Sequence, residues 1–141
     1  MPSTTPDPTG DLRIAIGQAS RRIRAERGGA GLADPQYTVL LWLNKKGPLT
    51  PGQLAELERV QPPSMTRTVN CLTDLGLVSK APHPTDGRQV VVTLTESGTA
   101  EVEETRRRRN TWLAGQLDAM TPHERQVLTD ATELLRRIAQ A

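Results

Sequence analysis

Apolar side chains recur at helical spacing along most of this chain and become β-branched in one short region. Leu12, Ile16, Ala19 and Ile23 step by four, three and four, which predicts one helix face from about Asp11 to Arg27. Gly28, Gly29 and Gly31 then read as a helix stop and flexible corner. Asp34 offers a cap and Pro35 a first-turn proline to a second helix, which is apolar nearly all round through Leu43 and therefore predicted to be central and buried. Gly47 and Pro48 close it. Thr50 and Pro51 repeat the device for a short helix with Leu54, Ala55 and Leu57 inward, ending near Glu58. A tight connection through Val60 leads to a helix that starts around Gln61 and Pro62, turns Met65, Val69, Leu72 and Leu75 inward, and stops at Gly76. Two short helices joined this closely predict a helix-turn-helix.

Leu77 to Ala81 reads as a strand, Pro82 to Gly87 as a turn, and Gln89 to Leu94 as a second strand. A long helix follows from about Thr95 to Ala119, carrying Val102, Leu113, Leu117 and Met120. The last helix opens on Thr121-Pro122-His123-Glu124, a capping box with a first-turn proline. Val127, Leu128, Ala131, Leu134, Leu135 and Ile138 then form one apolar stripe, which needs a partner surface. The predicted class is mainly α with a small β-hairpin: a winged helix-turn-helix flanked by N- and C-terminal dimerisation helices. Residues 1–10 are expected to be a disordered tail, 11–48 supporting and dimerising helices, 49–94 the winged DNA-binding unit, and 95–141 the C-terminal dimerisation helices.

Composition sharpens the dimer expectation. With 141 residues there is room for one compact domain, and Phe is absent while Tyr37, Trp42 and Trp112 are the only aromatics. A protomer so short of large side chains gains by burying surface against a second copy, with Leu12, Ile16, Val127, Leu128, Leu134, Leu135 and Ile138 as the candidate contacts. The longest apolar run, Val39 to Leu43, is far short of the roughly 20 residues of a spanning helix, so no membrane role is expected. Met1 to Gly10 has no basic or apolar segment, which reads as a tail on a cytoplasmic protein. One cysteine, Cys71, excludes an internal disulfide and a cysteine-cluster metal site. No cofactor or metal is expected. His83 and His123 stand far apart, and no zinc-protease, phosphate-loop or nucleophile-elbow motif occurs, so enzyme readings find no catalytic constellation.

A helix that enters the major groove carries small polar and bidentate side chains in its first turns, where they reach base edges and phosphates. Gln61, Ser64, Thr66, Arg67 and Asn70 meet that requirement, opposite the inward Met65, Val69 and Leu72. Each alone would be an ordinary solvated helix residue. The hairpin tip adds weight: Asp86-Gly87-Arg88 sets a guanidinium where a minor groove can receive it, with Lys80 and His83 alongside. Between Arg59 and Thr93, four cations stand against two carboxylates, a balance suited to moderate, salt-dependent binding of double-stranded DNA.

Leu54-Ala55, the run Pro63-Ser64-Met65-Thr66-Arg67-Thr68-Val69, Leu72, Leu75-Gly76-Leu77-Val78, Asp86-Gly87-Arg88 and Leu94-Thr95-Glu96-Ser97-Gly98 together resemble the core signature of MarR-type transcriptional regulators. The resemblance implies a homodimer with intertwined terminal helices, two winged lobes on a near-palindromic operator, repression, and release by a small phenolic or lipophilic effector. By position it implies Ser64, Thr66 and Arg67 in the major groove, Arg88 in the minor groove with Asp86 orienting it, and Thr50 to Gln53 facing phosphate. Pro63 falls in the same stretch. Gln61 and the Pro62-Pro63 pair depart from the usual pattern and leave the start of the recognition helix open. A winged-helix module that binds protein, and an architectural DNA binder without an effector, are the competing readings.

Cys71 is expected to be a half-buried small residue, against the alternative of a peroxide sensor. Arg106 to Arg109 point around a helix, and Glu103 and Glu104 precede Arg107 and Arg108 by four, so a solvated, ion-paired face is expected. Tyr37, Trp42 and Trp112 are candidates to line an effector cavity, with core packing as the plainer alternative.

Overall fold

The computed structural model describes residues 5–141. In chain order it contains α1 (Pro8–Arg24), α2 (Asp34–Lys46), α3 (Pro51–Glu58), α4 (Pro62–Asp74), β1 (Val78–Pro82), β2 (Val90–Leu94), α5 (Glu96–Asp118) and α6 (Pro122–Ala139).

The helix starts follow local chemistry, with two corrections. α1 begins at Pro8, inside the expected tail, because the Asp7 carboxylate accepts from the Gly10 N–H at 3.0 Å and Pro8 occupies a position that needs no donor. The first four residues of that tail lie outside the described residues. α2 is capped at Ala33, one residue before Asp34. There Gln36 Oε1 accepts from the Ala33 N–H at 3.0 Å, while the Asp34 carboxylate turns to Arg24 and Arg27, each at 3.7 Å. At α3 the expected cap holds: Thr50 Oγ1 accepts from Gln53 N–H at 3.1 Å and Gln53 Oε1 accepts from Thr50 N–H at 2.9 Å. The turn after α3 places Arg59 in the left-handed region at φ 54°, and Val60 N–H closes it on Ala55 C=O at 3.0 Å.

The core is the junction of α2, α3, α4, β2 and α5, where Val39, Leu40, Leu54, Val69, Leu72, Val92 and Val102 are essentially fully buried. Leu75, expected to face inward, is 51% exposed. It caps α4, and Gly76 at φ 74° reverses the chain so that Leu77 fills the core position in its place. Leu57 is half-buried, and Leu41 and Leu113 lie at the surface.

β1 and β2 pair antiparallel with Lys80 opposite Val92 and Pro82 opposite Val90. The hairpin is tied to the body by a bridge at Leu49, which exchanges both backbone hydrogen bonds with the buried Val92 at 3.1 and 2.8 Å. α5 begins directly against this hairpin. Thr95 donates its N–H to Leu77 C=O and its hydroxyl to Gly76 C=O, and its Oγ1 accepts from Gly98 N–H. A side chain at Gly98 would meet Leu77 O at 2.1 Å, so glycine is required where α5 crosses the strand.

The glycine corner after α1 is fastened. Gly28 is buried, with the Glu101 carboxylate and Thr105 hydroxyl where a Cβ would stand, and Ala30 N–H donates to both Glu101 oxygens at 3.2 and 3.3 Å. The arginine run completes the joint. Arg109 donates to Glu26 and Arg24 carbonyls at 3.0 and 3.3 Å, Arg108 donates to Arg27 C=O at 2.8 Å, and Glu104 pairs with both Arg107 and Arg108. Arg109 thus caps the last carbonyl of α1 from another helix while Arg108 fastens the corner that follows, which the expectation of a merely solvated face did not contain.

Candidate nucleic-acid interface

Three segments make one polar surface. α4 presents Ser64, Thr66, Arg67 and Asn70 away from the buried Met65, Val69 and Leu72. Its start is unambiguous: Gln61 caps through its backbone carbonyl, which accepts from Ser64 and Met65 N–H at 3.0 and 3.2 Å, with Pro62 and Pro63 in the first turn. Gln61 and Pro63 are exposed at that end. Arg67 donates to Ser64 Oγ at 3.3 Å, which directs the guanidinium along the N-terminal turn. Thr66 donates its hydroxyl to Pro62 C=O at 3.0 Å, leaving oxygen lone pairs toward solvent.

Lys80 on β1 brings the hairpin to this helix, its Nζ donating to Asn70 Oδ1 at 2.5 Å. On the other side, Thr50, Pro51 and Gly52 at the start of α3 border a cleft of about 380 Å³ with Arg88, Gln89 and Val90. In the first turn of α3 Pro51 has no N–H and those of Gln53 and Leu54 bond to Thr50, so the Gly52 N–H is the one left to face outward beside the wing. Thr50 and Gln53 spend their acceptors on the capping box, so Gln53 has its amide nitrogen to donate outward.

At the wing tip the Arg88 side chain is 94% exposed. Asp86 Oδ1 accepts from the Arg88 N–H at 3.1 Å and lies 3.5 Å from its Nε, while Oδ2 accepts from Gln89 Nε2 at 3.3 Å. One carboxylate thus holds both residues beyond Gly87. Gln89 escaped the sequence reading; its three-residue spacing from Asp86 across the turn was the available signal. His83 is half-buried, and its Nδ1 accepts from backbone N–H groups of the turn.

The three aromatics stand in separate surroundings. Trp42 donates its indole N–H to Glu58 and ties α2 to the end of α3. Trp112 on α5 lies under the Arg22 guanidinium of α1, 4.1 Å from ring centroid to carbon. Tyr37 is buried beneath Arg109, its hydroxyl 3.5 Å from Val102 C=O. Burial raises the Tyr37 phenol above its ordinary value, and the charges of Arg109 and Arg106 oppose that rise. The space around it is filled by Gly28, Leu32, Glu101 and Thr105. Cys71 is half-buried and accepts from Gln36 Nε2 at 3.2 Å.

A short α3, a tight turn, an outward polar α4 and a basic hairpin clipped to it form a winged helix-turn-helix. The MarR family model matches residues 30–89, the stretch from the α1–α2 corner through the wing. A helix-turn-helix-type transcriptional regulator of Mycobacterium bovis is 43% identical over 125 residues, covering 89% of this chain and 87% of that one. This chain belongs to the MarR family. A second relative, the transcriptional repressor MdtR of Bacillus subtilis, is 28% identical over 135 residues, covering 93% of this chain and 85% of that one. Among solved structures, a mutant MarR from E. coli superposes with a TM-score of 0.77 at 25% identity, over 96% of this chain and 99% of that one. As a member of the MarR family the protein is a DNA-binding transcriptional regulator and not an enzyme. Among the described residues no helix is long and apolar enough to cross a membrane.

Proposed function

We propose that this protein is a cytoplasmic homodimeric repressor that binds a near-palindromic operator. The observation that carries the DNA geometry is the Lys80 to Asn70 contact at 2.5 Å, which supports a single surface of recognition helix and wing. On it Ser64, Thr66 and Arg67 read the major groove, Arg88 enters the minor groove, and the start of α3 holds phosphate. Residues 49–94 are the reading unit, and residues 11–48 and 95–141 carry and pair it.

The dimer reading rests on α1 and α6, neither of which has a buried residue in the protomer. Leu12, Ile16, Ala19 and Ile23 face Leu128, Ala131 and Leu135 across an apolar groove of about 490 Å³. Val127, Leu134 and Ile138 are 51, 52 and 60% exposed beside it. An apolar surface of this extent along two terminal helices is what a second copy would bury. The repressor reading is supported by the relation to MdtR.

The test is fluorescence anisotropy with a duplex from the region upstream of the protein's own coding sequence, against a scrambled duplex at about physiological salt. Preferential binding at two chains per site is expected, and loss of that signal then screens for a phenolic or lipophilic effector. Equal, weak binding to both duplexes would defeat the operator reading for that region.

A further inference from the structure

The wing turn is held by an imidazole. His83 follows β1, and its Nδ1 accepts from Asp86 N–H at 3.1 Å and from Thr85 N–H at 3.2 Å. A backbone N–H can only donate, so Nδ1 carries a lone pair and the ring is neutral, with its proton on Nε2. The His83 backbone N–H in turn donates to Gln89 C=O at 3.1 Å, and Gln89 N–H to Asp86 C=O at 3.0 Å, closing the same loop. The ring therefore organises the backbone of Asp86, whose carboxylate positions Arg88 and Gln89.

We propose that neutral His83 is the positioning residue of the wing, acting through Asp86 on Arg88, and that acid releases the wing by protonating the ring. An imidazolium has no acceptor at Nδ1, so both N–H groups of the turn lose their partner together. Asp86 and Arg88 are the charged residues of the turn itself, and Lys80 stands on β1 three residues before His83, opposite Val92. The Asp86 oxygens are engaged by the Arg88 N–H and Gln89 Nε2, and Lys80 Nζ is held on Asn70. This role differs from the flanking DNA contact expected of His83 from sequence, since a cation on phosphate would strengthen binding in acid. The proposal rests on the DNA-binding reading only for its effect on affinity.

The experiment uses the full chain, which contains just two histidines. Without DNA, nitrogen NMR of the His83 ring and of the Thr85 and Asp86 amides is followed from about pH 8 to pH 5, across the imidazole range. The ring is expected bare at Nδ1 at the alkaline end, with both amides shifting at the midpoint of the ring. In parallel, anisotropy at constant ionic strength compares wild type, His83→Asn, His83→Ala and the control His123→Gln on the upstream duplex. An asparagine carbonyl can accept the same turn N–H groups and does not titrate. His83→Asn should therefore bind within about twofold of wild type at the alkaline end and lose the acid dependence, while His83→Ala should bind roughly five- to tenfold more weakly. His123→Gln should keep the wild-type profile.

A proton on Nδ1 at pH about 8, wild-type affinity that rises in acid, or full-strength binding by His83→Ala would each overturn the proposal. If wild type ignores the duplex at every pH, the operator reading has failed for that DNA, and the ring and amide resonances alone decide the role of His83.

Discussion

At the residue scale, the proposed interface divides into groups expected to read DNA and groups expected to hold them in place. Among the described residues the exposed Arg67 side chain is held by Ser64 at 3.3 Å, which leaves the rest of its guanidinium turned outward. Arg67→Ala should cost about 1 to 3 kcal/mol of binding and relax sequence preference if the guanidinium reads a base, and weaken all duplexes alike if it holds phosphate; anisotropy on a mismatch series separates the two. Arg88→Ala should weaken operator binding while leaving thermal stability unchanged, because the side chain is 94% exposed. Equal binding by wild type and Arg88→Ala would refute the wing role. The glycines make a contrasting pair. A methyl at Gly28 would stand 2.3 Å from Glu101 Oε1, whereas one at Gly29 would meet nothing within 4 Å. Thermal denaturation should show Gly28→Ala losing about 1 to 3 kcal/mol through overpacking, and Gly29→Ala near wild type. The two residues look alike in sequence; only the return of α5, which brings Glu101 and Thr105 against Gly28, tells them apart.

At the element scale, helix boundaries were legible wherever a cap and its partner are close in sequence. Thr50 with Gln53 and Thr121 with Glu124 are such pairs. Asp34 was misplaced because its carboxylate found Arg24 and Arg27 at the end of α1, a tertiary choice. The end of α1 was misplaced for the same kind of reason, the carbonyls of Arg24, Glu26 and Arg27 at and just past its last turn being taken by Arg108 and Arg109. The α6 cap has a pH signature. The Thr121 N–H and hydroxyl hold the Glu124 carboxyl below its ordinary value. A depressed carboxylate contributes stability above its unfolded value, and that contribution is lost as pH falls through the folded one. Acid titration followed by circular dichroism should therefore show α6 loosening below the ordinary carboxylate range in wild type. Glu124→Gln, which keeps the acceptor without the charge, should flatten that step.

At the scale of the whole molecule, two helices are left without a core of their own. Leu128 and Leu135 are 44 and 40% exposed, so Leu128→Asp with Leu135→Asp should leave the protomer folded yet abolish its dimer and its tight operator binding. Light scattering checks the first and anisotropy the second; a DNA-competent monomer would sink the paired-lobe reading. Periodicity, caps and turn residues were enough to order the elements and to name the outward polar set of α4, because each of those signals acts between residues a few positions apart. The fastening of the glycine corner by Glu101 and the capping duty of Arg109 were decided by folding. Each depends on which distant carbonyl, carboxylate or N–H arrives beside the residue, and that proximity is a property of the packed chain that no local pattern encodes.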